Sequence, residues 1–138
     1  MGVYSGIAQD NVTINSGTAT LQTLTVTGAL TASGGVRLPV TAVAAAGSTQ
    51  ANAAALAEGL NVVSAADGAK GVRLPTAVAG ATVIVKNTAA GALLIYPATG
   101  AAINAISANG SYSITNLTST MLVASSATQW YSVPLVAS

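Results

Sequence analysis

Seven side chains carry formal charge, Asp10, Glu58 and Asp67 on the acidic side and Arg37, Lys70, Arg73 and Lys86 on the basic side, and the 138 residues contain no His and no Cys. General acid–base catalysis needs two titratable groups held at separated pKa values. Here the three carboxylates are scattered, each among turn-forming residues. Zinc and redox metals lack their usual imidazole and thiolate ligands. A Ser–His–Asp triad cannot be assembled, and neither a nucleophile elbow nor a phosphate-cradling glycine loop is present. The turn ADGAK (66–70) offers one carboxylate, fewer than a tight calcium site requires. The expectation is a protein that is not an enzyme, with no metal and no cofactor.

Charge also bounds the partners. A net charge of +1 provides no field to steer nucleic acid. No residue beyond Lys86 is charged, and charged residues make up 5% of the chain, against about 25% in ordinary soluble domains. A surface so poor in charge favours association. A membrane span is not expected, because the longest apolar stretch, 38–57, is interrupted by Pro39, Gly47, Gln50 and Asn52. The N-terminal MGVYSGIAQD has neither the basic nor the apolar region of a signal peptide. With no Phe and an apolar content dominated by Ala, one chain has little to bury, so burial between subunits is expected to supply part of the stability.

The elements that could position anything are strands. Short apolar alternations rich in Val, Ile and Thr, broken by Gly, Asn or Pro, read as all-β. Strands are expected at LNVVS (60–64), ATVIVKN (81–87), ALLIYP (92–97), SYSIT (111–115), TMLVAS (120–125) and QWYSVPL (129–135). This spacing suggests a small sandwich or barrel. Residues 47–59 read either as a short helix capped by Ser48 and stopped by Gly59 or as a strand. The motif GVRLP occurs at 35–39 and again at 71–75, too few copies to specify a repeat architecture.

The division expected is an N-terminal β arm or stem at 1–34, serving trimerisation or attachment, and a β domain at 35–138. In 11–34 the apolar positions Val12, Ile14, Leu21, Leu24, Val26 and Leu30 alternate with Thr and are broken by Gly17, Gly28 and Gly34. Strands this short cannot bury themselves alone, and symmetry mates are the most economical partners. These six residues are therefore the candidate contacts between subunits, together with Arg37 and Arg73 of the repeated motif, since Arg is enriched at interfaces. Pairing of the arginines with Glu58 or Asp67 is the competing reading.

Two stretches resemble known proteins. LQTLTVTGALTASGG (21–35) is similar to the glycine-punctuated β repeats in the trimeric stems of phage fibres. The segment 71–133 resembles a small domain of tailed-phage virion proteins in its Arg-Leu-Pro (Arg73–Pro75), its Val-x-Val-x-Asn (Val83–Asn87), its Tyr-Pro-Ala-Thr-Gly (Tyr96–Gly100), its Ile-Asn (Ile103–Asn104) and its Gln-Trp-Tyr (Gln129–Tyr131). The resemblance implies a homotrimeric structural protein on the surface of a virion, a capsid decoration (cement) protein or short head fibre whose partners are itself and a major capsid protein. A tail-fibre tip recognising a host glycan is the alternative. No catalytic residues transfer.

Overall fold

The computed structural model describes residues 22–135. The chain divides between Val36 and Arg37 into two units. In the first, residues 22–36 are irregular, exposed and without a strand. Leu24 and Leu30 leave 62% and 66% of their surface open, because a single chain offers these short alternations no ladder to join.

The second unit is all-β, with no helix among the described residues. Its ten strands are β1 (Val40–Ala44), β2 (Ala54–Ala55), β3 (Gly59–Ser64), β4 (Gly71–Arg73), β5 (Thr82–Asn87), β6 (Leu93–Tyr96), β7 (Ala102–Ile103), β8 (Tyr112–Ile114), β9 (Ser119–Ser126) and β10 (Gln129–Leu135). The first nine alternate between a six-stranded sheet, β1-β3-β5-β9-β10-β7, and a four-stranded sheet, β2-β4-β6-β8, and β10 follows β9 in the larger one. The first six strands wind as a coil: β1, β3 and β5 pair in parallel in the large sheet, as do β2, β4 and β6 in the small one. Val40 lies beside Leu60, and Leu60 beside Ile84. After this third turn the chain reverses, and β8 and β9 join antiparallel to β6 and β5.

The expected sandwich or barrel is thus replaced by a solenoid-like winding. Two sheets do enclose one core, but parallel neighbours are joined through the opposite sheet rather than by hairpins. Val63, Val83, Val85, Leu122 and Trp130 of the large sheet meet Val72, Leu93, Ile95 and Ile114 of the small one, all buried. At about 1.5–3 kcal/mol for each large apolar side chain, this cluster supplies most of the driving force.

The two GVRLP copies do different work. The second is β4 and its exit: Val72 and Leu74 are buried, and the Leu74 amide donates to the Tyr96 carbonyl at 2.9 Å. The first precedes β1 with Val36 and Leu38 exposed, and its Pro39 carbonyl accepts from the Leu60 amide at 2.9 Å. Gly59 is needed there: its φ is +97°, and a Cβ would lie 2.6 Å from the Pro39 oxygen. Between 47 and 59 the chain forms a turn and the strand β2, not a helix. Gly47 has a φ of +63°, and the Asn52 side chain accepts from the Thr49 amide at 2.9 Å, so the backbone turns before a helix can start.

Candidate functional site

Two asparagines organise the buried polar groups. Asn61 of β3 donates to the Ala57 carbonyl at 2.8 Å and accepts from the Ala57 amide at 3.2 Å. Asn87 of β5 donates to the carbonyls of Gly91 at 2.9 Å and Thr115 at 3.1 Å, and accepts from the Ala89 amide at 3.0 Å. Both are fully buried. They satisfy the backbone where it leaves the ladder, which is a structural duty.

Among the described residues one ion pair forms, and the other charged groups stay apart. Asp67 pairs with Lys70 at 3.1 Å on an exposed turn. Its Oδ1 also accepts from the amides of Lys70 and Ala69 at 2.9 and 3.0 Å. The Lys70 amide, then the Ala69 amide, then the Lys70 ammonium lower its pKa from 3.8 to about 2. Glu58 lies exposed in the bend before β3. Lys86 donates to the Leu117 carbonyl at 2.6 Å. Among the described residues no three carboxylate, imidazole or thiol groups gather to hold a metal ion, and no helix is long and apolar enough to cross a membrane.

Of the residues singled out in the sequence, Val12, Ile14 and Leu21 lie outside the described residues. Leu24, Val26 and Leu30 are exposed in the first unit. Arg37 is exposed ahead of β1. Arg73 sits half-buried in β4, and its partner is neither Glu58 nor Asp67: it donates to the Gln50 carbonyl at 3.3 Å. It lines a hollow of about 410 Å³ together with Leu74, Thr76 and Thr99. That hollow holds no second charged side chain and no aromatic platform.

The outward faces of the two sheets differ more than any pocket does. On the small sheet, Arg73 and Tyr96 project from paired positions, and both are tied to one turn of the chain. The Tyr96 hydroxyl donates to the Ser48 carbonyl at 3.0 Å, and Arg73 reaches Gln50 two residues on. Gly71 makes room for this ring, since a Cβ there would lie 2.7 Å from the Tyr96 ring. On the large sheet, strict alternation sends Val83, Val85 and Leu122 inward and leaves Ile84 and Met121 outward. Register then aligns Val40, Leu60, Ile84, Met121 and Val133 as one apolar row across five strands.

Reading the sequence for strands alone missed this row. Its signal is present in TVIVK and TMLVA, where apolar side chains occupy both alternating faces, the pattern of strands buried on two sides. The adjacent rings of β10 divide in the same way: Trp130 is fully buried, while Tyr131 is 52% exposed.

Compared with known proteins, the chain matches no family model, no curated protein and no solved structure.

Proposed function

We infer that this is a structural protein of a phage virion, a trimeric cement protein or short head fibre that binds a major capsid protein at the capsid surface. The observation that carries the reading is that a charge-poor β coil and an exposed apolar segment occur in one chain. Leu24, Val26, Leu30, Val36 and Leu38 all lie open in residues 22–38, where water should not be their neighbour in the working state. The phage-like motifs of 21–35 and 71–133 supply the identity of the particle. In this role the arm attaches or trimerises the molecule by main-chain pairing, which needs no charged side chains. Three weak capsid contacts per trimer combine through avidity, which raises affinity by orders of magnitude over one contact. Neighbouring capsid subunits are thereby stapled against the pressure of packaged DNA.

The hollow beside Arg73 favours a second reading, a fibre tip that recognises a host glycan, with the guanidinium and the hydroxyls of Thr76 and Thr99 as donors. One experiment separates the two. Purified protein is mixed with empty capsids and, in parallel, with host cells, and bound particles are imaged by cryo-electron microscopy. Threefold density on the capsid is expected. Binding to cells with bare capsids would replace the first reading by the second, and binding to neither would remove both.

A further inference from the structure

We propose that the outward face of the six-stranded sheet is a subunit interface, packed against the same face of further copies of this chain around the threefold axis. The row Val40, Leu60, Ile84, Met121 and Val133, flanked by Tyr131, marks its centre. The proposal rests on the self-assembling reading above, and it locates the association on the coil rather than on the arm or on Arg37 and Arg73.

Four observations support it. First, β1, β3 and β5 form the parallel half of a mixed sheet and β9 and β10 its antiparallel half, and strands apolar on both alternating faces are the pattern of a sheet covered on two sides. Here one face is filled by the core, while on the other Val40, Tyr131 and Val133 leave 67%, 52% and 44% of their surface open. Second, the face is large. Five of its strands run five to eight residues. At about 4.8 Å between strands and about 3.3 Å per residue, they mark out roughly 400 Å² in projection. The relief of the side chains adds to this, toward the ~800 Å² that each partner contributes to a stable interface.

Third, charge selects the occupant. The one charged side chain among the paired outward positions is Lys86, and its ammonium is held by the Leu117 carbonyl. Lys86 keeps its charge and lies in the last paired outward row of β5, beside the apolar row; each copy therefore brings a single cation to an otherwise uncharged face, whereas a strongly charged partner would be desolvated against aliphatic side chains. Fourth, Tyr131 at the rim brings a large ring with a polar tip, the residue type enriched where one protein surface meets another. A copy of the chain is also the one partner present in proportion from the moment of synthesis, when an uncovered apolar face is most prone to aggregate.

The test is sedimentation equilibrium of the full chain as wild type, Val133→Glu, Ile84→Glu and Ser113→Glu, with circular dichroism to verify the β fold of each. Val133 lies near the end of β10 and is already part-exposed, so its variant folds even if Ile84→Glu does not. Ser113 is exposed on the small sheet and controls for added charge. Wild type and Ser113→Glu are expected as oligomers of equal mass. Val133→Glu should associate at least tenfold more weakly, and Ile84→Glu should sediment as a single chain. If the wild type is an oligomer and both large-sheet variants keep its mass, self-assembly stands and the face is overturned. If Ser113→Glu loses mass equally, the effect belongs to charge in general and the face is again overturned. A wild type that is monomeric at every concentration would remove the self-assembling reading and this interface together.

Discussion

The small sheet ties part of its outer face to its own chain; the large sheet leaves its outer face apolar. On the small sheet a Gly, a Tyr and an Arg act together: Gly71 leaves space, Tyr96 fills it, and Tyr96 and Arg73 bond the turn at 48–50. On the large sheet the outward row holds Val, Leu, Ile and Met, with no such tether. The same coil produces both, so the difference lies in side chains and not in topology. A face tied down by hydrogen bonds to its own backbone is finished within one chain, whereas a row of aliphatic side chains gains stability only when a further surface excludes water from it.

Truncating neighbours on opposite faces of β9 should separate the two faces by the largest effect. Leu122 points inward with no exposed surface, and Leu122→Ala should lower stability by roughly 2–5 kcal/mol at any protein concentration. Met121, one residue away, points outward. Met121→Ala should cost little in dilute solution and should reduce stability increasingly as concentration favours assembly. Denaturant titration at low and high protein concentration measures both. Equal, concentration-independent losses would mean that the two faces do not differ in kind.

A smaller effect probes the closed face. Tyr96→Phe removes the hydroxyl that donates to Ser48 and should lower stability by about 0.5–1.5 kcal/mol. The loss should be the same at all concentrations, because this contact lies within one chain. The denaturation midpoint reports it, and a concentration-dependent loss would put this face in the interface instead.

The smallest effect is electrostatic. Asp67 has a lowered folded pKa, so its contribution is fully present above pH 3.8 and disappears as pH falls through about 2. The group is solvent-exposed, so the change should be confined to the 67–70 turn. Amide exchange at Ala69 and Lys70 should stay protected at pH 4 and lose protection toward pH 2. Loss of protection already at pH 4 would contradict the amide-held carboxylate.

Much of the strand content was legible in the sequence because Pro, Gly and Asn punctuate it. ATVIVKN and QWYSVPL correspond closely to β5 and β10. Pro134 is tolerated inside β10 because β7 pairs only with Gln129 and Trp130, so from Tyr131 onward one side of β10 has no ladder to serve. The winding was not legible. Parallel partners lie eighteen or more residues apart, as Ala54 does from Val72 and Leu60 from Ile84, and alternation within a strand says nothing about which strand lies beside it. The repeated GVRLP shows the same limit: Val72 is buried and Val36 is 72% exposed, a difference set by tertiary neighbours rather than by the motif.

The candidate site was less legible still. Arg37 and Arg73 stood out by charge, but the row from Val40 to Val133 exists only once register has aligned five strands. Period-two alternation divides Leu122 from Met121 without saying which of them faces the core. Only the pairing of Leu122 with Val83, opposite Leu93 and Ile95 of the other sheet, decides it.

Hydroxyl-radical footprinting of the wild-type chain, comparing dilute and assembled fractions at Met121 and Tyr131, with Leu117 as an exposed internal control, reads directly whether assembly covers the large sheet. Assembly should protect Met121 and Tyr131 together and leave Leu117 unchanged. Equal reactivity of Met121 and Tyr131 in single chains and in assemblies would contradict the account, because the open face of the large sheet would then remain open in the assembled protein.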